Sequence, residues 1–305
     1  MEQYESIIIG GGVAGLTAAL YLGRFGRKSL LLTDSLGGQT TTAGVIENYP
    51  GLGKIGGVLL IQKTKEQVGS QGSVQLKEGE RVQKIEKAEG GFTVVDTSQY
   101  QAKTVIIASG RRHRELGLPE EKGLIGKGLS YCATCDGPFS RGKTVVVAGG
   151  GNAANRAVQT LEKIAAKIFI VNLAPTMLGE KVVIEKIQGN SKITVINSAK
   201  IVKIIADGGA ISGVEVEEGQ NKSKRKIDCQ MIFVEIGQVA NSEPFKDFVK
   251  LNEQGEVIID RDCQTSVPGV FAAGDVTDIP AKQVVVAAGE GAKAAIAVDK
   301  FLGSV

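Results

Sequence analysis

Two cysteines near the middle of the chain have the spacing of a redox pair. In the segment YCATCDGPF, two residues separate Cys132 from Cys135, and Asp136 follows the second cysteine directly. Such a pair can close a small disulfide and reopen it by thiolate exchange, while an adjacent carboxyl group can supply the proton that a leaving thiolate needs. These three residues are the candidate catalytic group.

A zinc site is the competing interpretation of the cysteines. It would recruit Cys229 and Cys263, which complete the four cysteines of the chain. Those two are solitary and lie in unlike segments, whereas structural zinc ligands usually come in closely spaced pairs. The pattern therefore favours a redox disulfide in a reducing compartment, and no metal is expected.

The first glycine motif lies at the N-terminus. Gly10, Gly12 and Gly15 form G-x-G-x-x-G directly after an apolar run and before a helical pattern. The first glycine permits the turn, the second lets the backbone reach a pyrophosphate, and the third allows close helix packing. Asp34, after the next apolar run, could meet a ribose hydroxyl, or could simply be an exposed residue at a strand end.

A second motif, G-x-G-x-x-A, is formed by Gly149, Gly151 and Ala154. A site for NAD needs an acidic residue after the next strand, and a site for NADP needs arginines there for the 2′-phosphate. This chain has Asn172, followed by leucine, alanine and proline. The motif therefore predicts a nucleotide-type turn without identifying a nucleotide.

These motifs belong to two strand, helix, strand units, the first at the N-terminus and the second beginning near residue 143. Each is followed by a segment predicted to form antiparallel strands, residues 73–110 and 193–219. The remaining tail ends in an apolar helical pattern and is expected to complete an existing domain. Polar segments at 110–116 and 237–244 are the predicted crossings, which makes the second domain an insertion in the first.

Composition narrows the class of protein. The chain has 305 residues, a formal net charge of +3, five Tyr and nine Phe. The charge is small and dispersed, so nucleic-acid binding is not expected. No uninterrupted run of 18 apolar residues predicts a membrane span, and the apolar run after Val13 lacks a basic flank. We expect a cytoplasmic protein.

The single histidine, His113, stands among Arg111, Arg112 and Arg114. These cations are expected to lower its pKa. A solvated linker is the preferred interpretation of the segment, and docking of an acidic partner is the alternative.

Taken together, the motifs resemble the low-molecular-weight thioredoxin reductases. The similarity is carried in family order by IIIGGGVAGLTAA, LGGQTTTAGVIENYPG, VIIASG, YCATCDGPF, VVVAGGGNAA, VPGVFAAGD and AAGEGAKAA. It implies an α/β fold of two Rossmann-like three-layer ββα dinucleotide-binding domains. Residues 1–112 plus 241–305 would bind FAD, and residues 113–240 would form the inserted NAD(P)-binding-like domain with the redox disulfide. It also implies a homodimer in which the domains rotate.

The resemblance assigns roles to individual residues. Cys135 would receive electrons from the flavin, Cys132 would attack the disulfide of a thioredoxin-like protein, and Asp136 would be the acid. The FAD contacts it implies are Gly10, Gly12, Ala14, Gly15, Asp34, Gly38, Gln39, Thr40, Asn48, Ser109, Gly110, Gly274, Asp275, Gln283 and Val284. The second nucleotide-like site would comprise Gly149, Gly151, Asn152, Ala153, Ala154 and Asn172.

The chain departs from the family where NADPH-using members carry a basic cluster. Those positions here are Asn172, Leu173, Ala174 and Leu178. Losing two or more charge-assisted contacts costs about 3 to 6 kcal/mol, or two to four decades in affinity. A donor other than NADPH is therefore the leading hypothesis, with ferredoxin as one candidate.

The second site would then be empty or hold another dinucleotide, including a second FAD. An NADPH- or NADH-dependent reductase with atypical contacts and a non-enzymatic flavin-binding or redox-sensing module are the alternatives.

Overall fold

The structure, a computed structural model, describes residues 2–42 and 45–304. The chain divides into two compact units, the first made of Met1–Arg112 and Val239–Val305 and the second of His113–Gln238. The chain therefore leaves the first unit once and returns to it once. At these crossings the short strands Arg111–His113 and Gln238–Ala240 pair. Beside them, the Asn241 N–H donates to the Gly110 carbonyl oxygen at 2.9 Å.

The elements before the first crossing belong to the first unit. The strands are β1 (Gln3–Gly11), β2 (Ser29–Leu36), β3 (Val45–Ile46), β4 (Ile55–Gly56), β5 (Val74–Glu78), β6 (Lys84–Ala88), β7 (Gly91–Val95) and β8 (Gln99–Ile107). The helices are α1 (Val13–Arg24), α2 (Gln39–Thr42) and α3 (Gly57–Gly69).

The remaining elements follow in chain order. The strands are β9 (Arg111–His113) at the crossing, β10 (Leu129–Ser130), β11 (Thr144–Ala148), β12 (Lys167–Val171), β13 (Ile193–Ile196), β14 (Ala199–Asp207), β15 (Ala210–Glu218), β16 (Ser223–Asp228), β17 (Met231–Val234), β18 (Gln238–Ala240) and β19 (Val270–Ala272). The helices are α4 (Glu121–Leu124), α5 (Ala133–Asp136), α6 (Asn152–Leu161), α7 (Lys181–Gln188) and α8 (Val284–Gly303).

The first unit is built on a seven-stranded sheet in the order β5-β2-β1-β8-β7-β6, with β19 also paired to β8. In the parallel part, Ile8 of β1 lies opposite Leu31 of β2 and Ile106 of β8, and all three side chains are fully buried. Continuous apolar runs suit such strands, because both faces of the sheet are covered. The β6 and β7 strands are antiparallel around Gly90 and Gly91, as the sequence predicts. The same prediction is wrong for β5, which pairs with β2 in parallel, and it holds for only one side of β8, which is antiparallel to β7 and parallel to β1.

The second unit has a five-stranded parallel sheet in the order β10-β17-β11-β12-β13 and a separate antiparallel sheet, β14-β15-β16. One expectation needs correction here, because the sequence pattern predicts Ile193–Ile196 as part of the antiparallel segment. It forms β13, the parallel edge strand beside β12. The intervening helix α7 supplies the long crossover that parallel pairing requires.

The tail returns to the first unit, where β19 extends the pairing of β8 and α8 packs beside α1. Each unit thus combines a parallel sheet, helices and an antiparallel segment, and the predicted Rossmann-like α/β class is confirmed. Among the described residues, no helix is both long and apolar enough to cross a bilayer.

Candidate functional site

The first glycine turn joins β1 to α1 and requires glycine at two positions. Gly10 has a φ of 111°, and a Cβ there would lie 2.3 Å from the carbonyl oxygen of Ala108. A Cβ on Gly15 would lie 1.8 Å from the carbonyl oxygen of Gly10. Both distances are far below van der Waals contact, so the turn and the helix pack backbone against backbone.

Gly12 is different, because a Cβ there would meet no described atom within 4 Å. It caps α1 without any side-chain hydrogen bond in the described structure. The first N–H groups of α1 are therefore open toward this space, and they form an arrangement that favours an anion. A pyrophosphate fits the space that the missing Cβ leaves.

Residues distant in sequence pack around this turn. A Cβ on Gly38 would lie 3.9 Å from the Cα of Gly12, and a Cβ on Gly274 would lie 2.8 Å from the Cβ of Ala14. The candidate Ser109 also lies close, 3.0 Å from a Cβ placed on Gly10. The structure thus brings together candidates from four separate segments of the chain.

Other candidates extend this group. Gln39 begins α2, and its Nε2 donates to the carbonyl oxygen of Arg111, next to Gly110, at 2.7 Å. Asn48 Nδ2 donates to Gln283 Oε1 at 3.0 Å, and Gln283 is the N-cap residue of α8.

Three further candidate FAD contacts lie in α8, α2 and β2. Val284 is the first residue of α8, Thr40 is buried within α2, and Asp34 lies exposed near the end of β2.

Sequence reasoning missed Glu290, a buried carboxylate of α8 that holds the Gly274–Val276 turn. Its Oε2 accepts from the Gly274 N–H at 3.2 Å and from the Thr277 hydroxyl at 3.3 Å, while its Oε1 has no hydrogen-bond partner among the described residues. The turn contains Asp275. Burial raises the pKa of its carboxyl group, and this effect outweighs the positive charges of Lys282 and Arg111, which lower the pKa. The available signal was an acidic residue, Glu290, in the apolar first half of α8.

A partly buried ion-pair network in the first unit was missed as well. Glu256 Oε1 lies 2.9 Å from Arg111 Nη1 and 3.2 Å from Lys282 Nζ. Burial raises the pKa of the Glu256 carboxyl, but hydrogen bonds from Asn252 and Lys282 outweigh that effect and hold its pKa below the ordinary value. Arg111 is thus engaged inside the unit, which argues against its use as an exposed docking residue.

The cysteine pair forms a disulfide between Cys132 and Cys135, whose Cα atoms are 5.3 Å apart. Cys132 caps α5, and its Sγ accepts from the Cys135 N–H at 3.1 Å. Ser130 Oγ donates to Asp136 Oδ2 at 2.6 Å and accepts from the Cys132 N–H at 3.0 Å. The buried hydroxyl of Ser130, which sequence reasoning did not identify, therefore holds the candidate acid against the disulfide turn.

The other two cysteines are buried free thiols. Cys229 belongs to the second unit and Cys263 to the first, and burial raises the pKa of each thiol to about 12. Within the described ranges, no three His, Cys, Asp or Glu side chains are grouped so that they could hold a metal ion.

The second glycine turn joins β11 to α6 and repeats the geometry of the first. Gly149 has a φ of 122°, and a Cβ there would lie 2.3 Å from the carbonyl oxygen of Glu235. Gly151 caps α6, and a Cβ there would meet no described atom within 4 Å. Ala154 is fully buried, so a methyl group is accommodated at the third position.

The loop after β12 folds back onto this turn. Asn172 is buried, and its Nδ2, which has two hydrogens, shares them among Ala174 O at 3.1 Å, Thr176 O at 2.9 Å and Asn197 Oδ1 at 2.8 Å. Its side-chain amide thus organises the loop, and its assignment as a nucleotide contact stays a prediction.

The end of the loop is fastened by two further hydrogen bonds. The Leu178 N–H donates to Gly150 O at 2.8 Å, and Asn155 Nδ2 donates to Leu178 O at 2.9 Å. The side chains of Leu173 and Leu178 point to solvent, with 74% and 65% of their surfaces exposed. The other two candidates, Asn152 and Ala153, form the first turn of α6.

His113 stacks on Tyr131, with ring centroids 5.3 Å apart. Its pKa is lowered, as expected, but the cause is burial and not the neighbouring arginines. The histidine is therefore a packing residue of the second unit.

A sequence profile of the pyridine nucleotide-disulphide oxidoreductases matches residues 4–291 of the chain. The chain belongs to this family. The resemblance to low-molecular-weight thioredoxin reductases is confirmed.

Solved thioredoxin reductases match the oxidoreductase over its whole length. The enzyme of Lactococcus lactis in its FR conformation has a TM-score of 0.81 and 31% identity, covering 99% of this chain and 100% of that one. The T. acidophilum enzyme has a TM-score of 0.77 and 33% identity, covering 100% of this chain and 99% of that one.

Among curated relatives, an alkyl hydroperoxide reductase component of Pseudomonas putida is 36% identical over 301 residues, which are 97% of this chain and 58% of that protein. The chain thus spans less than two thirds of the length of that relative. Family membership implies FAD, and the open turn at Gly12 fits its pyrophosphate.

Proposed function

We propose that this oxidoreductase passes electrons from FAD through Cys132 and Cys135 to the disulfide of a thioredoxin-like protein, with an electron donor other than NADPH. The observation that carries the choice of donor is the loop after β12, which presents Leu173 and Leu178 where the family's basic cluster would lie. The low-molecular-weight thioredoxin reductases act as homodimers, and we extend that assembly to this chain.

The flavin-binding residues would be those gathered around Gly12 in the first unit. The open N–H groups of α1 would take the pyrophosphate, and Asp275, held in place by Glu290, would face the ribitol. When bound, FAD supplies two electrons for disulfide reduction and can receive them one at a time. The remaining chemistry falls to the side chains of the disulfide turn.

Reduction of the disulfide separates the roles of its two sulfurs. Cys132 would attack the partner's disulfide as a thiolate, a mixed disulfide would form, and Cys135 would then displace the reduced partner. Asp136 would supply the proton for the leaving thiolate. Ser130 keeps the Asp136 carboxyl against the turn through its 2.6 Å hydrogen bond, so the acid is positioned before the exchange begins.

NADPH would lose its usual partners at the second site. Asn172 turns its amide into the loop, and the exposed side chains that follow are apolar. Loss of two or more charge-assisted hydrogen bonds to the 2′-phosphate costs about 3 to 6 kcal/mol. The intact glycine turn at Gly151 is still open to a pyrophosphate, which supports either an empty site or a different dinucleotide there.

The donor is tested by anaerobic mixing of the flavin-loaded protein with NADPH, NADH or reduced ferredoxin, while flavin absorbance is followed. We expect slow reduction by NADPH and rapid reduction by a one-electron donor. Rapid bleaching by NADPH would overturn the proposal and favour an NADPH-dependent reductase. Flavin released per chain after denaturation tests the second site, and a ratio of one removes a second FAD.

The similarity to the alkyl hydroperoxide reductase component supports a second candidate acceptor, an oxidised peroxiredoxin-type protein. Parallel turnover with a thioredoxin-like protein and with such a protein separates the two. In either reaction, Cys132→Ser should abolish turnover. Intact turnover of that variant would contradict disulfide chemistry at this turn and leave a flavin-binding or redox-sensing module.

A further inference from the structure

Glu235 lies beside the redox disulfide but has no part in the chemistry described above. It follows β17, the strand between β10 and β11 in the parallel sheet, and its N–H donates to Ala148 O at 2.8 Å. Strand β10 leads into the Cys132 turn, and β11 leads into the Gly149 turn. Because parallel strands end at one edge, Glu235 lies between the disulfide turn and the second glycine turn.

The carboxyl group of Glu235 faces the disulfide turn. It is half-buried, and the backbone N–H of Ala133, the residue after Cys132, lies within its hydrogen-bonding reach. Arg156 of α6 is the charged side chain whose field reaches it. Burial outweighs both favourable partners and raises the pKa of Glu235 to about 7.

Asp136, the other carboxyl group of this turn, has a different environment. It accepts a hydrogen bond from the Ser130 hydroxyl, whereas Glu235 is half-buried and is influenced by the charge of Arg156. Two carboxyl groups in unlike surroundings can hold protons at different stages of one reaction.

We infer that Glu235 is a redox-linked proton site, which takes up a proton when the Cys132–Cys135 disulfide is reduced. Two electrons from the reductant break the S–S bond, and one sulfur takes a proton to become a thiol while the other becomes a thiolate. The new negative charge raises the proton affinity of the nearby Glu235 carboxylate, which takes the second proton. Two electrons and two protons thus enter the turn together.

Glu235 therefore couples the midpoint potential of the disulfide to pH. Each proton taken up per two-electron reduction makes the potential fall by about 30 mV per pH unit, equivalent to a tenfold change in the equilibrium constant. The coupling acts above pH 7, where the Glu235 carboxyl of the oxidised protein is ionised and that of the reduced protein is not.

The test uses the flavin-loaded chain equilibrated with dithiothreitol buffers between pH 5.5 and 8.5, with Cys132 and Cys135 counted by alkylation after an acid quench. Above pH 7, the equilibrium constant for reduction of the disulfide by dithiothreitol should depend less on pH in Glu235→Gln than in the unchanged protein. We expect the difference to be about tenfold per pH unit. Arg156→Gln should move the steep interval to higher pH, because the stabilising cation is lost. Glu185→Gln, at an exposed position of α7, is the matched control and should change nothing.

The inference rests on the proposed function only in requiring a disulfide that is reduced and reoxidised. Equal pH dependence in Glu235→Gln and the unchanged protein overturns it and leaves the proposed function standing. Failure of the partner assay, with the difference in pH dependence intact, overturns the proposed function instead.

Discussion

The backbone N–H of Leu178 donates a 2.8 Å hydrogen bond to the carbonyl oxygen of Gly150. This bond fastens the loop that follows β12 to the second glycine turn. A Cβ on Gly150 would lie 2.3 Å from the amide carbon of Asn172, so the turn and the loop pack without room for a side chain. The loop conformation therefore depends on backbone contacts and on Asn172, and not on the exposed leucines.

Because those leucines do not hold the loop, cationic side chains can replace them. We expect Leu173→Arg, Ala174→Arg and Leu178→Arg, introduced together, to raise the affinity for NADPH by about 100-fold, since two charge-assisted contacts contribute about 3 kcal/mol or more. Titration of the flavin-loaded protein with NADPH measures the change. The same three positions changed to Gln form the neutral control, and equal affinities in both variants would contradict a missing phosphate site.

The side-chain amide of Asn172 stabilises the loop that follows β12. Asn172→Ala leaves the carbonyl oxygens of Ala174 and Thr176 without their donor, and we expect it to lower the free energy of unfolding by about 2 to 4 kcal/mol. Urea unfolding measures this loss, and proteolysis should cut within residues 173–178. Asn221→Ala, at an exposed position, should change stability by less than about 0.5 kcal/mol. Equal stabilities of the two variants would refute the role of Asn172.

Gly12 and Gly151 have the same position in the two turns and provide a matched pair. Neither conformation requires a positive φ, and a Cβ on either would meet no described atom within 4 Å, so both Ala variants should fold. We expect Gly12→Ala to lose bound FAD, because the methyl group occupies the space left for the pyrophosphate, and Gly151→Ala to keep it. Flavin absorbance per chain measures both. Full flavin content in Gly12→Ala would place FAD elsewhere.

The features that sequence alone predicts depend on local pattern. Apolar runs before glycine motifs identify β1 and β11, and the spacing of Cys132 and Cys135 identifies the disulfide. These signals occupy adjacent residues, and each has a direct physical meaning. The resemblance added the order of the segments and the expected flavin residues.

The features that sequence did not reveal are side-chain directions and distant pairs. Whether Asn172 points toward a nucleotide or into its own loop depends on Thr176 and Asn197, which β12 and β13 bring together. Ser130 reaches Asp136 because β10 ends beside the disulfide turn. Glu256 meets Arg111 across 145 positions of the chain. Such contacts depend on tertiary packing, which one sequence does not specify position by position.

The Glu256 carboxylate makes the first unit sensitive to acid. Its pKa in the folded protein lies below the ordinary value of 4.5, so its stabilising effect is present above that value and is lost as pH falls through the lower, folded value. At pH 7, Glu256→Gln should lower the free energy of unfolding by about 1 to 3 kcal/mol, because Arg111 and Lys282 lose their partly buried anion. The variant should also lose less stability than the unchanged protein between pH 5 and pH 3.

Urea unfolding at these three pH values measures both effects. Glu86→Gln is the control, since the Glu86 carboxylate pairs with Lys84 at the surface and should contribute little. A Glu256→Gln variant that follows the unchanged protein at every pH would show that the network does not stabilise the unit.

We expect Ser130 to affect turnover through Asp136, because the 2.6 Å hydrogen bond between them holds the acid at the disulfide turn. Ser130→Ala should slow turnover with the thioredoxin-like partner by about tenfold, the kinetic equivalent of about 1.4 kcal/mol. If Ser130 acts through Asp136, adding Ser130→Ala to an Asp136→Asn variant should not slow turnover further. Stopped-flow rates for the two single variants and the double variant complete the cycle, with flavin content confirming that each is folded. Additive losses would show that Ser130 supports the turn independently of the acid.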